Sequence, residues 1–111
     1  MAFKELIINK RQEFYLLCRK HNVKYIYAFG SVVNDTFCKA TSDIDLIVEL
    51  NEPDPVERGE KLMSLWDKLE NLFNRKVDLL TDSSVHNPYL RKSIDSNKIL
   101  VYDGTRPEVL V

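Results

Sequence analysis

The chain has 111 residues, 44% of them hydrophobic and 30% charged, with a formal net charge of −1. That length suits one domain rather than two, and that apolar content can build a core, which excludes a disordered tail. The charge balance argues against tight, sequence-independent binding of duplex DNA, where a basic face supplies most of the affinity, although a nucleotide whose charge a metal ion offsets stays admissible as a substrate.

Residues 3–21 read as one helix, with Phe3, Leu6, Ile7, Phe14, Leu17 and Cys18 on one face and a stop at Asn22. Residues 23–29 are rich in strand formers and end at Gly30, after which a short turn or helix is expected from Ser31 to Asp35 and a polar loop from Thr36 to Ser42. Residues 43–50 are the clearest strand. Ile44, Leu46, Val48 and Leu50 line one face, and Asp43, Asp45, Ile47 and Glu49 the other. Asp54, Pro55 and Glu57 spell an N-cap, a first helical residue and a capping box. The helix they open carries Leu62, Leu65, Trp66, Leu69, Leu72 and Phe73 at helical spacing, and Trp66 reads as core. Residues 76–81 form a third strand, Asn87-Pro88 opens a short helix, and residues 98–102 make a last strand that ends at Asp103-Gly104.

The alternation of helices and strands predicts a single layered α/β (α+β) domain over residues 1–104, with residues 105–111 as a flexible or partner-docking tail. A short return from Gly30 to Asp43 makes the second strand antiparallel to the first, and a long helical crossover makes the third parallel to the second. The sheet is therefore mixed. Cys18 and Cys38 fit neither a disulfide framework nor zinc spacing and read as free thiols. No apolar run approaches the ~20 residues that span a bilayer. With Met-Ala-Phe-Lys-Glu at the start lacking the apolar core of a signal peptide, the expected location is the cytoplasm, with no membrane partner.

The topology gathers chemistry at one rim. Asp43 and Asp45, two apart on a strand, point the same way, and Asp78 near the start of an adjacent parallel strand can join them. Three close carboxylates repel one another unless a cation stands between them. Mg2+ takes oxygen ligands and bridges to phosphates, and two such ions, or Mn2+ in their place, could activate an attacking oxygen and stabilise a leaving pyrophosphate. Gly30-Ser31, at a strand end before an expected helix start, offers bare backbone, N–H groups and a hydroxyl to a phosphate. Glu49 lies four residues beyond Asp45 and reads as structural, and His21 and His86 read as surface residues without metal-type partners. Cys38 reads as a bystander thiol.

Phe29-Gly30-Ser31 followed by Ser42-Asp43-Ile44-Asp45-Leu46 resembles the signature of the DNA polymerase beta-like nucleotidyltransferases. More narrowly it resembles the minimal nucleotidyltransferase (MNT) proteins, the antitoxin-like partners of HEPN-domain proteins. Val77-Asp78-Leu79-Leu80 resembles that family's third-carboxylate strand, and residues 87–102 its closing helix and strand. The resemblance implies a mixed four-stranded sheet with helices mainly on one face. It implies Asp43, Asp45 and Asp78 as catalytic metal ligands, and Gly30 and Ser31 as holders of the triphosphate of ATP or another NTP. It further implies transfer of an NMP, AMP above all, to a hydroxyl of a HEPN-domain partner, as the antitoxin of a toxin–antitoxin pair. The alternative is an antitoxin that binds a HEPN-type RNase without chemistry. A homo-oligomer stays open. The sequence departs from many members in two ways: Val32–Ser42 is one residue longer than their spacing, and Asn34-Asp35 stands where they carry Arg-Gly. Arg91 and Lys92 are candidates for the missing cation.

Overall fold

The structure, a computed structural model, describes residues 2–30 and 43–105, with the side chains of residues 2–4 and 6 excepted. Ser31, the expected turn and loop with Cys38, and residues 106–111 lie outside the described residues.

The helix expected over residues 3–21 is two helices, α1 (Ala2–Asn9) and α2 (Arg11–Lys20). Lys10 leaves helical geometry at φ −114° and ψ 18°, and α2 restarts on it, Phe14 N–H donating to the Lys10 carbonyl at 2.9 Å. No Gly or Pro marks this break. Ile7, Ile8 and Asn9 just before it are weaker helix formers than the residues that follow, and burial of Ile7, Phe14 and Cys18 in one core fixes how the two pieces sit. His21 corrects another expectation. It is buried at the end of α2, where Nδ1–H donates to the Leu17 carbonyl at 2.8 Å and Nε2 accepts from Ser64 Oγ at 3.0 Å.

Strand β1 (Val23–Phe29) pairs antiparallel with β2 (Ile44–Leu50) and with β4 (Ile99–Asp103), and β2 pairs parallel with β3 (Val77–Thr81). The sheet order is β3-β2-β1-β4, mixed and four-stranded as the sequence predicts. Between β2 and β3 runs α3 (Pro55–Phe73), and α4 (Pro88–Asn97) follows a 3-10 turn at Asp82–Ser84. Alternation sorts the faces. Ile44, Leu46, Val48 and Leu50 meet Phe14 and Cys18 of α2 and Leu65, Leu69 and Phe73 of α3 in the main core. On the opposite face Ile94 of α4 closes over Phe29 and Ile47, with Tyr27, Leu80 and Val85 packed around them. Three helices thus back one face and α4 covers part of the other.

The start of α3 is capped as expected by Asp54, whose Oδ1 accepts the Val56 N–H at 3.2 Å. The reciprocal bond comes from a different acid: Glu52, not Glu57, accepts the Asp54 N–H at 3.3 Å and also pairs with Lys61. Trp66 is half-buried against the core rather than within it, because its indole N–H reaches out to the Val77 carbonyl. Glu70 Oε2 accepts the Val77 N–H at 3.0 Å. Two α3 side chains therefore grip both backbone groups of Val77 and set where β3 begins.

Candidate active site

That grip positions Asp78, the next residue. In the parallel ladder Asp78 stands opposite Asp45, and in the antiparallel ladder Asp45 stands opposite Phe29, the last residue of β1. The beginnings of β2 and β3 and the end of β1 thus share one rim, on the face that α4 leaves uncovered there. The carboxyl groups of Asp45 and Asp78 lie within hydrogen-bonding reach of each other, with Asp43 close enough to be felt electrostatically. Burial first, then the charge of Asp78, the hydrogen bond with it and the charge of Asp43 push the Asp45 carboxyl up from 3.8 to about 6. Asp43 Oδ2 also lies 4.0 Å from Lys76 Nζ.

Gly30 closes the rim at the end of β1, with a φ of +74°. An ideal Cβ placed on it would collide with Asp45 Oδ2 and stand 3.4 Å from Asp45 Cγ, so only a bare backbone can lie this close to the acid. Ser31, its expected companion, lies outside the described residues.

Arg91, considered from the sequence as a phosphate cation, is committed elsewhere. Its guanidinium binds the Asp82 carboxylate and carbonyl and the Val85 carbonyl, tying α4 to the 3-10 turn, while Tyr25 O–H donates to Asp82 Oδ2 at 2.7 Å. Glu49, read as structural, accepts the Ser83 N–H at 3.3 Å. The cation that sequence reasoning missed is Lys76. Its signal was alternation, since Lys76 and Asp78 are two apart at the start of a strand and fall on one face. The open apolar groove of about 480 Å³ lined by Leu16, Leu17 and Leu72 belongs to α2 and α3, across the sheet from the acids, and is a different surface.

The profile of the "Nucleotidyltransferase domain" family matches residues 15–101, from α2 to β4, across the whole rim. The chain belongs to this family. It is 41% identical over 86 residues to "Putative protein adenylyltransferase MJ1217" of Methanocaldococcus jannaschii, covering 78% of this chain and 84% of that one. Among solved structures it superposes on a "putative minimal nucleotidyltransferase" with a TM-score of 0.60 at 25% identity, over 86% of this chain and 92% of the other. It also superposes on a chain of a toxin–antitoxin crystallised with AMP-PNP, with a TM-score of 0.59 at 25% identity, over 83% of this chain and 72% of that one. The nucleotidyltransferase is of the minimal kind, one small domain on a four-stranded mixed sheet.

Nucleotidyltransferases of this fold generally work with divalent metal ions. As they stand, no three Asp, Glu, His or Cys side chains among the described residues are gathered as a metal-holding group. The donor set nonetheless fits a hard divalent cation. It is all oxygen, and burial, together with the neighbouring Asp78 and Asp43, holds the Asp45 carboxyl above the usual carboxylate range. The raised Asp45 carboxyl has a measurable consequence for stability. Unfolded, Asp45 gives up its proton near 3.8; folded, near 6. The stabilisation from protonating it is complete below pH ~4 and is lost as the pH rises through about 6. Allowing for solvent at a half-exposed group, the metal-free enzyme should lose about 1–2 kcal/mol between pH 4.5 and pH 7.5 relative to Asp45→Asn. Paired thermal melts check this. Addition of Mg2+ or Mn2+ at pH 7.5 should raise the melting temperature of the unaltered enzyme and leave the variant unmoved.

Proposed function

We propose that this nucleotidyltransferase moves AMP from ATP to a hydroxyl group of a partner protein, with a divalent metal ion held by Asp43, Asp45 and Asp78, and that the partner is a HEPN-type toxin it silences. The observation that carries the reading is the Asp45–Asp78 pair, two acids from neighbouring parallel strands forced together beside the bare backbone of Gly30. Acids that repel in the free enzyme are set to gain most when a cation and a phosphate arrive together. When bound, divalent ions would offset the charge that develops on the attacking and leaving oxygens. The protein's own contribution is positional. Val77, clamped by Glu70 and Trp66, fixes Asp78 in register, and Gly30 packs its backbone close against Asp45 at the end of β1.

Protein as acceptor is supported by the adenylyltransferase relative, and a toxin as partner by the toxin–antitoxin structure that holds an ATP analogue. The resemblance of Gly30-Ser31 and Asp43-Ile44-Asp45 to the MNT signature adds the HEPN class. A partner that brings its own hydroxyl suits a rim where Asp43 and Lys76 are both solvent-exposed.

The experiment is transfer of label from α-labelled ATP, with Mg2+ or Mn2+, to the protein encoded beside this one. The expected result is one or more labelled tyrosine, serine or threonine residues on the partner, and none when Asp43 and Asp45 are both alanine. An unlabelled partner with every nucleotide and both metals, while the doubly substituted chain still protects cells, would overturn the reading in favour of neutralisation by contact.

A further inference from the structure

We propose that Lys76 is a phosphate-binding residue of the active site, its ammonium group holding the outer phosphates of the nucleoside triphosphate; this rests on the nucleotidyl-transfer reading above. Lys76 immediately precedes β3, and its carbonyl accepts the Ile44 N–H at 3.0 Å, so its backbone is stitched to the residue between Asp43 and Asp45. Alternation along the strand sets its side chain on the face of Asp78. Its Nζ reaches to 4.0 Å from Asp43 Oδ2, with the lysine side chain 67% exposed and the aspartate 44%.

A pair so long and so wet is weakly held. Lys76 is thus parked at the rim rather than locked there, in contrast to its neighbours on this face. Arg91 is bound to Asp82 and to two carbonyls. Lys98 lies over the Tyr27 ring at 4.5 Å and pairs with Asp95 at 3.2 Å. The pairing engages the same Asp43 carboxylate whose charge Asp45 feels. A cation that claims the Asp43 carboxylate deprives the ammonium of its partner, at the moment a polyphosphate adds more negative charge to three carboxylates. A flexible point charge on a four-carbon stem is suited to follow such a phosphate. The exchange is simple: Lys76 gives up one carboxylate and takes phosphate oxygens.

The test is calorimetric binding of a non-hydrolysable ATP analogue and of AMP, in Mg2+ and in Mn2+, to the whole chain and to Lys76→Ala, Lys76→Arg and Lys76→Glu. The exposed side chain leaves folding untouched, which melting curves verify. Lys76→Ala should weaken the triphosphate about tenfold, Lys76→Glu more, and Lys76→Arg least, while AMP, which lacks the outer phosphates, keeps its affinity in all four. Equal triphosphate affinity in the unaltered chain and Lys76→Ala overturns the assignment, and so does an equal loss for AMP. An unaltered chain that binds neither nucleotide sinks the nucleotidyl-transfer reading, and Lys76 falls with it.

Discussion

Replacing Asp45 with asparagine is expected to cut nucleotidyl transfer by at least ~1,000-fold while leaving the metal-free protein as stable as before or more so at neutral pH. The two effects share a cause. Asp45 lies half-buried against Asp78 and near Asp43, and its charge is opposed by burial and by both neighbours. Asparagine keeps the shape, removes the charge and can donate its amide to the Asp78 carboxylate, so the fold gains what the chemistry loses. Label transfer and thermal melts on the same preparation decide the matter. A variant that loses activity because it unfolds, or one that keeps activity, would show that the pair is not poised for a cation.

Gly30→Ala should be costly both to stability and to activity. The backbone there has φ +74°, which costs an L-residue roughly 1–2 kcal/mol. The added Cβ would also run into Asp45 Oδ2, the side chain the rim is built around. Relief requires Asp45 to rotate or the end of β1 to draw back, and a loss of about 2–4 kcal/mol is expected in denaturant titrations, with activity reduced at least ~100-fold. Gly59 supplies the internal control. It lies in α3 with nothing within 4 Å of its would-be Cβ, so Gly59→Ala should stabilise by about 0.5–1 kcal/mol. Two identical changes with opposite signs would separate backbone strain from helix propensity.

Much of this site was legible in the sequence because strands have a period of two. The alternation Ile44, Leu46, Val48, Leu50 against Asp43, Asp45, Ile47, Glu49 fixed which residues faced which way before any contact was known. The long crossover then put Asp78 on a parallel neighbour, where it stands opposite Asp45. Caps at Asp54 and Asn87 were equally plain, since each accepts the backbone N–H groups its position predicts. What escaped was tertiary choice. No local rule says that a lysine interrupts the first helix, that Glu52 rather than Glu57 completes the cap, or that His21 turns inward to Ser64. Arg91 and Lys76 were separated by tertiary partners, Asp82 nine residues back in the 3-10 turn for one and Asp43 beside the neighbouring strand for the other.

Among the described residues β3 is one of the two edge strands of the sheet, paired on one side alone with β2. One acid of the rim therefore rides on an edge strand, retained by β2 and by the two α3 side chains that clasp Val77. Fraying at that border would scatter the acids while the helical core stayed intact. A binding partner that laid its own backbone along the border would quiet the fraying, and so make the enzyme most competent while its target is in its grasp.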